Sequence, residues 1–218
     1  MIVKIDSRAY DTEGMPTSLP TKRSLHFHPT FAMATYLTRR GDSDCQTLDE
    51  IRTFLDGCTY VSDRKQFGVD EYWMRPDQFE RSRRGDCEDF ALWTWCQLVR
   101  LGFDVRFVIG TAGFGRNGHA WVTFRKDGED FLLEPLASKR RRMTRFGALM
   151  HYPRVSVAWD GERLRYFEHE EREFSPSTLD IIGILLEWLP RVMWTILVGL
   201  ATLPKTLWRL ARGKTENQ

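Results

Sequence analysis

The sequence has no CxxC pair and no two histidines at zinc-finger spacing, and its 218 residues include only four cysteines, Cys45, Cys58, Cys87 and Cys96. A structural zinc site is therefore not expected. There is no excess of charge of one sign either. The 32 Lys and Arg stand against 30 Asp and Glu, for a net charge of +2. A near-neutral chain has no global basic field, so no nucleic-acid partner is expected. Residues 1–14 lack the apolar run that follows the charges of a secretory signal. The expectation is a cytoplasmic protein with reduced thiols. No repeat is visible. A long uninterrupted apolar run is missing as well: residues 181–203 are broken by Glu187, Pro190 and Arg191.

What is present suits a folded domain. Hydrophobic residues make up 42% and charged residues 28%, which excludes a disordered chain. The length fits one domain with an appendage, or one large domain. The division expected is an N-terminal extension over 1–42, a domain over 43–175 and a hydrophobic, basic helical tail over 176–218. The basic run 139–142 reads as a solvated loop.

Periodicity and punctuation set the elements. Residues 1–5 alternate loosely, as an edge strand does. Thr47 and Glu50 form a capping-box pattern ahead of Leu48, Ile51, Phe54 and Leu55, and Gly57 closes that helix. A short helix follows Pro76. A helix starting at Asp86 or Cys87 runs to about Leu101, with an apolar stripe of Phe90, Ala91, Trp93, Leu98 and Leu101. Residues 105–109 form a β-branched strand, and 110–118 a glycine-rich loop. Strands over 119–124 and 131–134 flank Asp127-Gly128, the dipeptide of a type I′ hairpin. A second hairpin covers 156–167, turning at Asp160-Gly161. A helix followed by antiparallel strands gives an α+β class.

Cys87 at a helix start meets unpaired N–H groups and the positive end of the helix dipole, which favour a thiolate. Asp86, Glu88 and Asp89 oppose this, so a nearby imidazolium is needed as well. His119, at the mouth of a strand after Gly118, is the candidate. With a two-residue turn at Asp127-Gly128, Lys126 faces Glu129, Trp121 faces Glu134 and His119 faces Leu136. Glu134 and His119 then lie diagonally on one sheet face, within reach of each other. A buried cysteine is more often a small hydrophobe, and Cys45, Cys58 and Cys96 are read that way. A nucleophile, a base and an orienting carboxylate together are much rarer than any one of them.

Three blocks carry a resemblance: Gly85-Asp-Cys-Glu-Asp-Phe-Ala91, Gly118-His-Ala-Trp-Val122 and Leu132-Leu-Glu-Pro135. They are similar to the active-site blocks of the transglutaminase-like superfamily. Asp70-Glu-Tyr-Trp-Met-Arg-Pro-Asp-Gln-Phe79 resembles the lead-in of the bacterial transglutaminase-like cysteine proteinases. The resemblance implies a papain-like core, with the nucleophile helix packed on an antiparallel sheet. It implies Cys87 as nucleophile, His119 as base and Glu134 as orienting carboxylate, where the family usually has Asp. The substrate implied is a protein or peptide. No cofactor is required for this chemistry. Some relatives bind calcium through the acids beside the nucleophile, here Asp86, Glu88 and Asp89. Those acids equally read as an N-cap and first-turn dipole partners.

Three readings of the tail stay open: a membrane span, an interfacial helix at the inner membrane face contacting lipid through residues 181–212, and a packed helix. Three functions also stand: a cysteine-dependent amide hydrolase first, then a non-catalytic membrane-tethered scaffold of the same fold, or a protein-crosslinking transglutaminase.

Overall fold

In the computed structural model of the chain, the described residues are 2–5, 12–17, 37, 43–113, 115–137, 145–170, 182, 189 and 193. The chain divides into two compact units, Met1–Phe174 and Ser175–Gln218. In the second, Ile182, Leu189 and Met193 are helical and exposed. No helix among the described residues is long and apolar enough to cross a membrane. The rest of the tail, with most of its expected membrane-contacting stretch 181–212, and the basic run 139–142 lie outside the described residues.

The first unit is α+β. Seven strands form one antiparallel sheet: β1 (Ile2–Lys4), β2 (Met15–Thr17), β5 (Asp104–Ala112), β6 (Asn117–Lys126), β7 (Glu129–Leu133), β8 (His151–Trp159) and β9 (Leu164–Glu168). Their spatial order is β1-β7-β6-β5-β8-β9-β2. The segment expected to be an N-terminal extension thus supplies both edge strands: β1 pairs with β7 and β2 with β9. Strands β3 (Thr59–Tyr60) and β4 (Arg84–Gly85) form a separate parallel pair that local sequence did not signal. Among the described residues, the helices with given bounds are α1 (Leu48–Asp56), α2 (Asp63–Phe67), α3 (Pro76–Ser82), α4 (Cys87–Arg100) and α5 (Arg145–Leu149).

Local chemistry explains the boundaries. Thr47 Oγ1 accepts the N–H of Glu50 at 3.2 Å, while the Glu50 carboxylate takes the N–H of Gln46 at 2.8 Å, one residue ahead of the cap. Asp127 and Gly128 both have positive φ, 53° and 77°, as a type I′ turn requires. Lys126 accordingly pairs with Glu129 and Val122 with Leu133, the register the turn dictates.

Helix α4 is more enclosed than its apolar stripe implies. Every residue from Glu88 to Leu98 is buried. One side meets Val105, Phe107, Ala120, Val122 and Phe124 of the sheet, and the other meets Phe54 of α1 and Phe79 of α3. Phe54 stacks on Trp93 at 3.9 Å between centroids. Burying each such side chain is worth about 1.5–3 kcal/mol. The opposite sheet face carries a smaller cluster of Val108, Trp121 and Leu132 with Ile5 and Ala148.

Candidate active site

Cys87 is the first residue of α4, and Asp86 is its N-cap. Asp89 reaches back so that its Oδ2 accepts the Asp86 N–H at 3.2 Å. The glycine ahead of them is dictated by this fold-back: a Cβ on Gly85 would collide with the Asp89 carboxylate. Packing of α4 on β6 brings Cys87 to the backbone of Ala120, whose N–H hydrogen-bonds the thiol. The Sγ–H donates to Glu88 Oε2 at 3.2 Å. Burial pushes this thiol far up, Glu88 and Asp86 add to it, and the Ala120 N–H only partly offsets them. The contest between dipole and acids is therefore won by burial and the acids. Burial also raises the other thiols, Cys58 to about 11 and Cys96 to about 12.

The imidazole side is tightly bonded. His119 Nε2 lies 2.7 Å from Glu134 Oε2, the diagonal contact that the hairpin register anticipates. Glu134 Oε1 accepts the Leu136 N–H at 3.0 Å. A residue the sequence reading missed completes the group: His151 Nε2 stands 2.9 Å from the same Oε2. Burial pushes Glu134 upward, but hydrogen bonds from the two imidazoles more than reverse this and hold it far below the usual carboxylate range. Trp121 floors the cluster, near-parallel to His119 at 5.9 Å and edge-on to His151 at 4.9 Å. Among the described residues, no hydrogen bond joins the Cys87 thiol to His119; the thiol meets the backbone one residue further on.

Beyond Cys87 lies an acid cluster. Asp63, Asp86 and Asp89 hold carboxylate oxygens within 4.8 Å of one another, as do Asp63, Glu71 and Glu88. Asp63, brought in by the β3–β4 pairing, has no motif to announce it. Its Oδ2 takes the Tyr72 N–H, and Asp89 Oδ1 takes the Met74 N–H at 2.7 Å, so the two acids strap down the segment before α3. Both Asp89 oxygens are thereby used, while Asp63 Oδ1 and Asp86 Oδ1 are buried without a partner among the described residues. Burial first, and neighbouring carboxylates second, push Asp63 to about 6 and Glu88 to about 10. Burial pushes Asp89 to about 8, against the Met74 N–H and with the Asp86 charge.

The sequence profile of the bacterial transglutaminase-like cysteine proteinases (BTLCP) matches residues 32–147, more than half of the chain. The chain belongs to that family. No curated protein matches it. Among solved structures, this proteinase-family chain is similar to Legionella pneumophila LapG at 21% identity and a TM-score of 0.41, over 65% of this chain and 72% of that one. The calcium-bound form of LapG matches at 18% identity and a TM-score of 0.41, over 77% of this chain and 96% of that one. Cys87, His119 and Glu134 fall inside the family-matched segment of the chain; His151 falls outside it.

Proposed function

We propose that this chain hydrolyses amide bonds in a protein or peptide through Cys87, His119 and Glu134. The observation that carries the reading is the 2.7 Å bond between His119 Nε2 and a buried Glu134. With Nε2–H donated to an ionised carboxylate, the ring tautomer is fixed and Nδ1 is left as the base. His119, which the strand register places on the sheet face away from α4, reaches round the start of β6 so that its Nδ1 takes the Cys87 proton, and the thiolate attacks the amide carbonyl carbon. The Cys87 N–H, at the unpaired start of α4, donates to the oxyanion. His119 then gives its proton to the leaving amine, and a thioester forms on Cys87. Water, deprotonated by His119, releases the acid product and regenerates the thiol. An amine in place of that water would give a transglutaminase.

The acid cluster fits calcium, since two partnerless buried carboxylate oxygens beside a third acid are what a hard cation needs. Asp63, Asp86 and Glu88 would hold it, while Asp89 stays committed to backbone N–H groups. Bound there, calcium would supply positive charge beside the thiol. Asp63 and Glu88 would then shed their protons.

The test is digestion of a denatured protein mixture by wild type and by Cys87→Ala, with calcium and with chelator. New amino termini made by wild type only support hydrolysis, and new isopeptide crosslinks would point to transfer. If neither forms, the non-catalytic scaffold takes over, a reading that the Glu88-bonded thiol otherwise favours.

A further inference from the structure

Resting on the triad just proposed, we infer that His151 is a positioning residue of the site: a second imidazole that, with His119, pins the Glu134 carboxylate. Its ring is enclosed. His151 Nε2 faces Glu134 Oε2 at 2.9 Å, and Nδ1 faces the Gly147 carbonyl oxygen at 2.8 Å. A carbonyl oxygen only accepts, so Nδ1 carries a proton. Two bare acceptors do not face each other at 2.9 Å, so a proton also lies along the contact between Nε2 and Glu134 Oε2.

The fold goes out of its way to deliver this ring. Strand β8 pairs with β5 through a bulge: Ile109 faces Val155, but Gly110 faces Pro153, so Arg154 is the inserted residue. A bulge inserts one residue and reverses which face the following side chains occupy. Without it, His151 would lie on the face that α4 covers. With it, His151 pairs with Ala112 and joins the face of His119 and Trp121. Gly110 lets the two backbones approach, since a Cβ there would strike the Tyr152 carbonyl. Gly110 is also the residue opposite His119.

The need for a second donor follows from the side chain it holds. Glu carries one more rotatable bond than Asp would, so a single imidazole fixes it less well. Here Oε1 is held by the Leu136 N–H, and Oε2 by two rings. Among the described residues, the titratable groups facing His151 are Glu134 and His119. The His119 ring lies 5.5 Å away, and Arg116 stands over the neighbouring Tyr152 ring.

Two measurements test this. The first is nitrogen-15 NMR of the His151 ring in the wild-type chain at pH 7. Hydrogen-bonded signals for both ring nitrogens are the expected result, and an Nε2 without a hydrogen bond to the carboxylate overturns the inference whether or not the variants fold. The second is the iodoacetamide alkylation rate of Cys87 at pH 7 with calcium present, with melting checked in parallel. Folded His151→Ala should lower it about tenfold to a hundredfold, the range of one hydrogen bond to a charged group. His151→Gln, which keeps an N–H donor, should recover most of that loss. A folded His151→Ala that alkylates at the wild-type rate overturns the inference and leaves the triad standing. Wild-type Cys87 that alkylates no faster than Cys58 instead removes the triad, and the inference with it.

Discussion

Glu134 and Glu88 are buried carboxylates of one candidate site, and they are treated in opposite ways. Glu134 receives three donors, from Leu136, His119 and His151, and is held ionised. Glu88 sits among other acids, is pushed to about 10, and keeps its proton at neutral pH. The imidazole side is thus complete as it stands, whereas the thiol side is short of positive charge. Burial alone does not decide a carboxylate's state; the donors aimed at it do.

The largest way to break this contrast is Glu134→Ala. It would strand one buried and one half-buried imidazole and the Leu136 N–H. We expect a loss of about 3–5 kcal/mol in urea unfolding, as for removal of one partner from a buried charged group. A loss below about 1 kcal/mol would mean the cluster is not formed in solution.

Calcium addresses the other side. At about 100 times its dissociation constant it should stabilise the chain by ~2.7 kcal/mol. For a domain of this size that is a rise of roughly 5–10 °C in melting temperature. Binding should release protons and tighten from pH 6 to pH 8, because the acids of the cluster start protonated. Asp63→Asn should remove most of the shift, and an equal shift in that variant would exclude Asp63 as a ligand.

Glu134→Asp sharpens the comparison further. The shorter side chain cannot reach both rings, and the expected cost is about 1.5–3 kcal/mol, one hydrogen bond to a charged group. Unfolding by denaturant measures it, and a neutral effect would mean that the extra methylene has no role.

The smallest effect is the pH slope of the metal-free chain, and its sign differs between the two sides. Asp63 and Asp89 have raised values, about 6 and about 8. Between the ordinary carboxylate range and those values the folded state binds more protons than the unfolded one. Stability therefore falls as pH rises through 6 and 8. Glu134 is lowered, so its contribution is present above the ordinary carboxylate range and lost as pH falls below it. Melting temperature in chelator should peak in mildly acidic buffer. A steady rise from pH 5 to pH 8 would contradict the assignment of the acid cluster.

Much of this site was legible because local chemistry wrote it. Asp127-Gly128 fixes a two-residue turn, the turn fixes the register, and the register sets Glu134 beside His119. The start of α4 was legible from Asp86 and the acids behind it. Three features were not. The bulge at Gly110 reverses the face of β8, so no count along the chain could place His151. Asp63 arrives through a two-residue parallel pairing too short to leave a pattern. The burial of α4 on every side depends on α1 and α3 closing over it, which its own periodicity does not record.

The most direct test is site-resolved iodoacetamide labelling against pH, with calcium present, on wild type and His119→Ala. Cys87 should label far faster than Cys45, Cys58 and Cys96, with an apparent pKa well below that of a free thiol, and should lose this advantage in His119→Ala. Labelling of Cys87 no faster than the other three thiols, or an unchanged profile in His119→Ala, would contradict the pairing of Cys87 with His119.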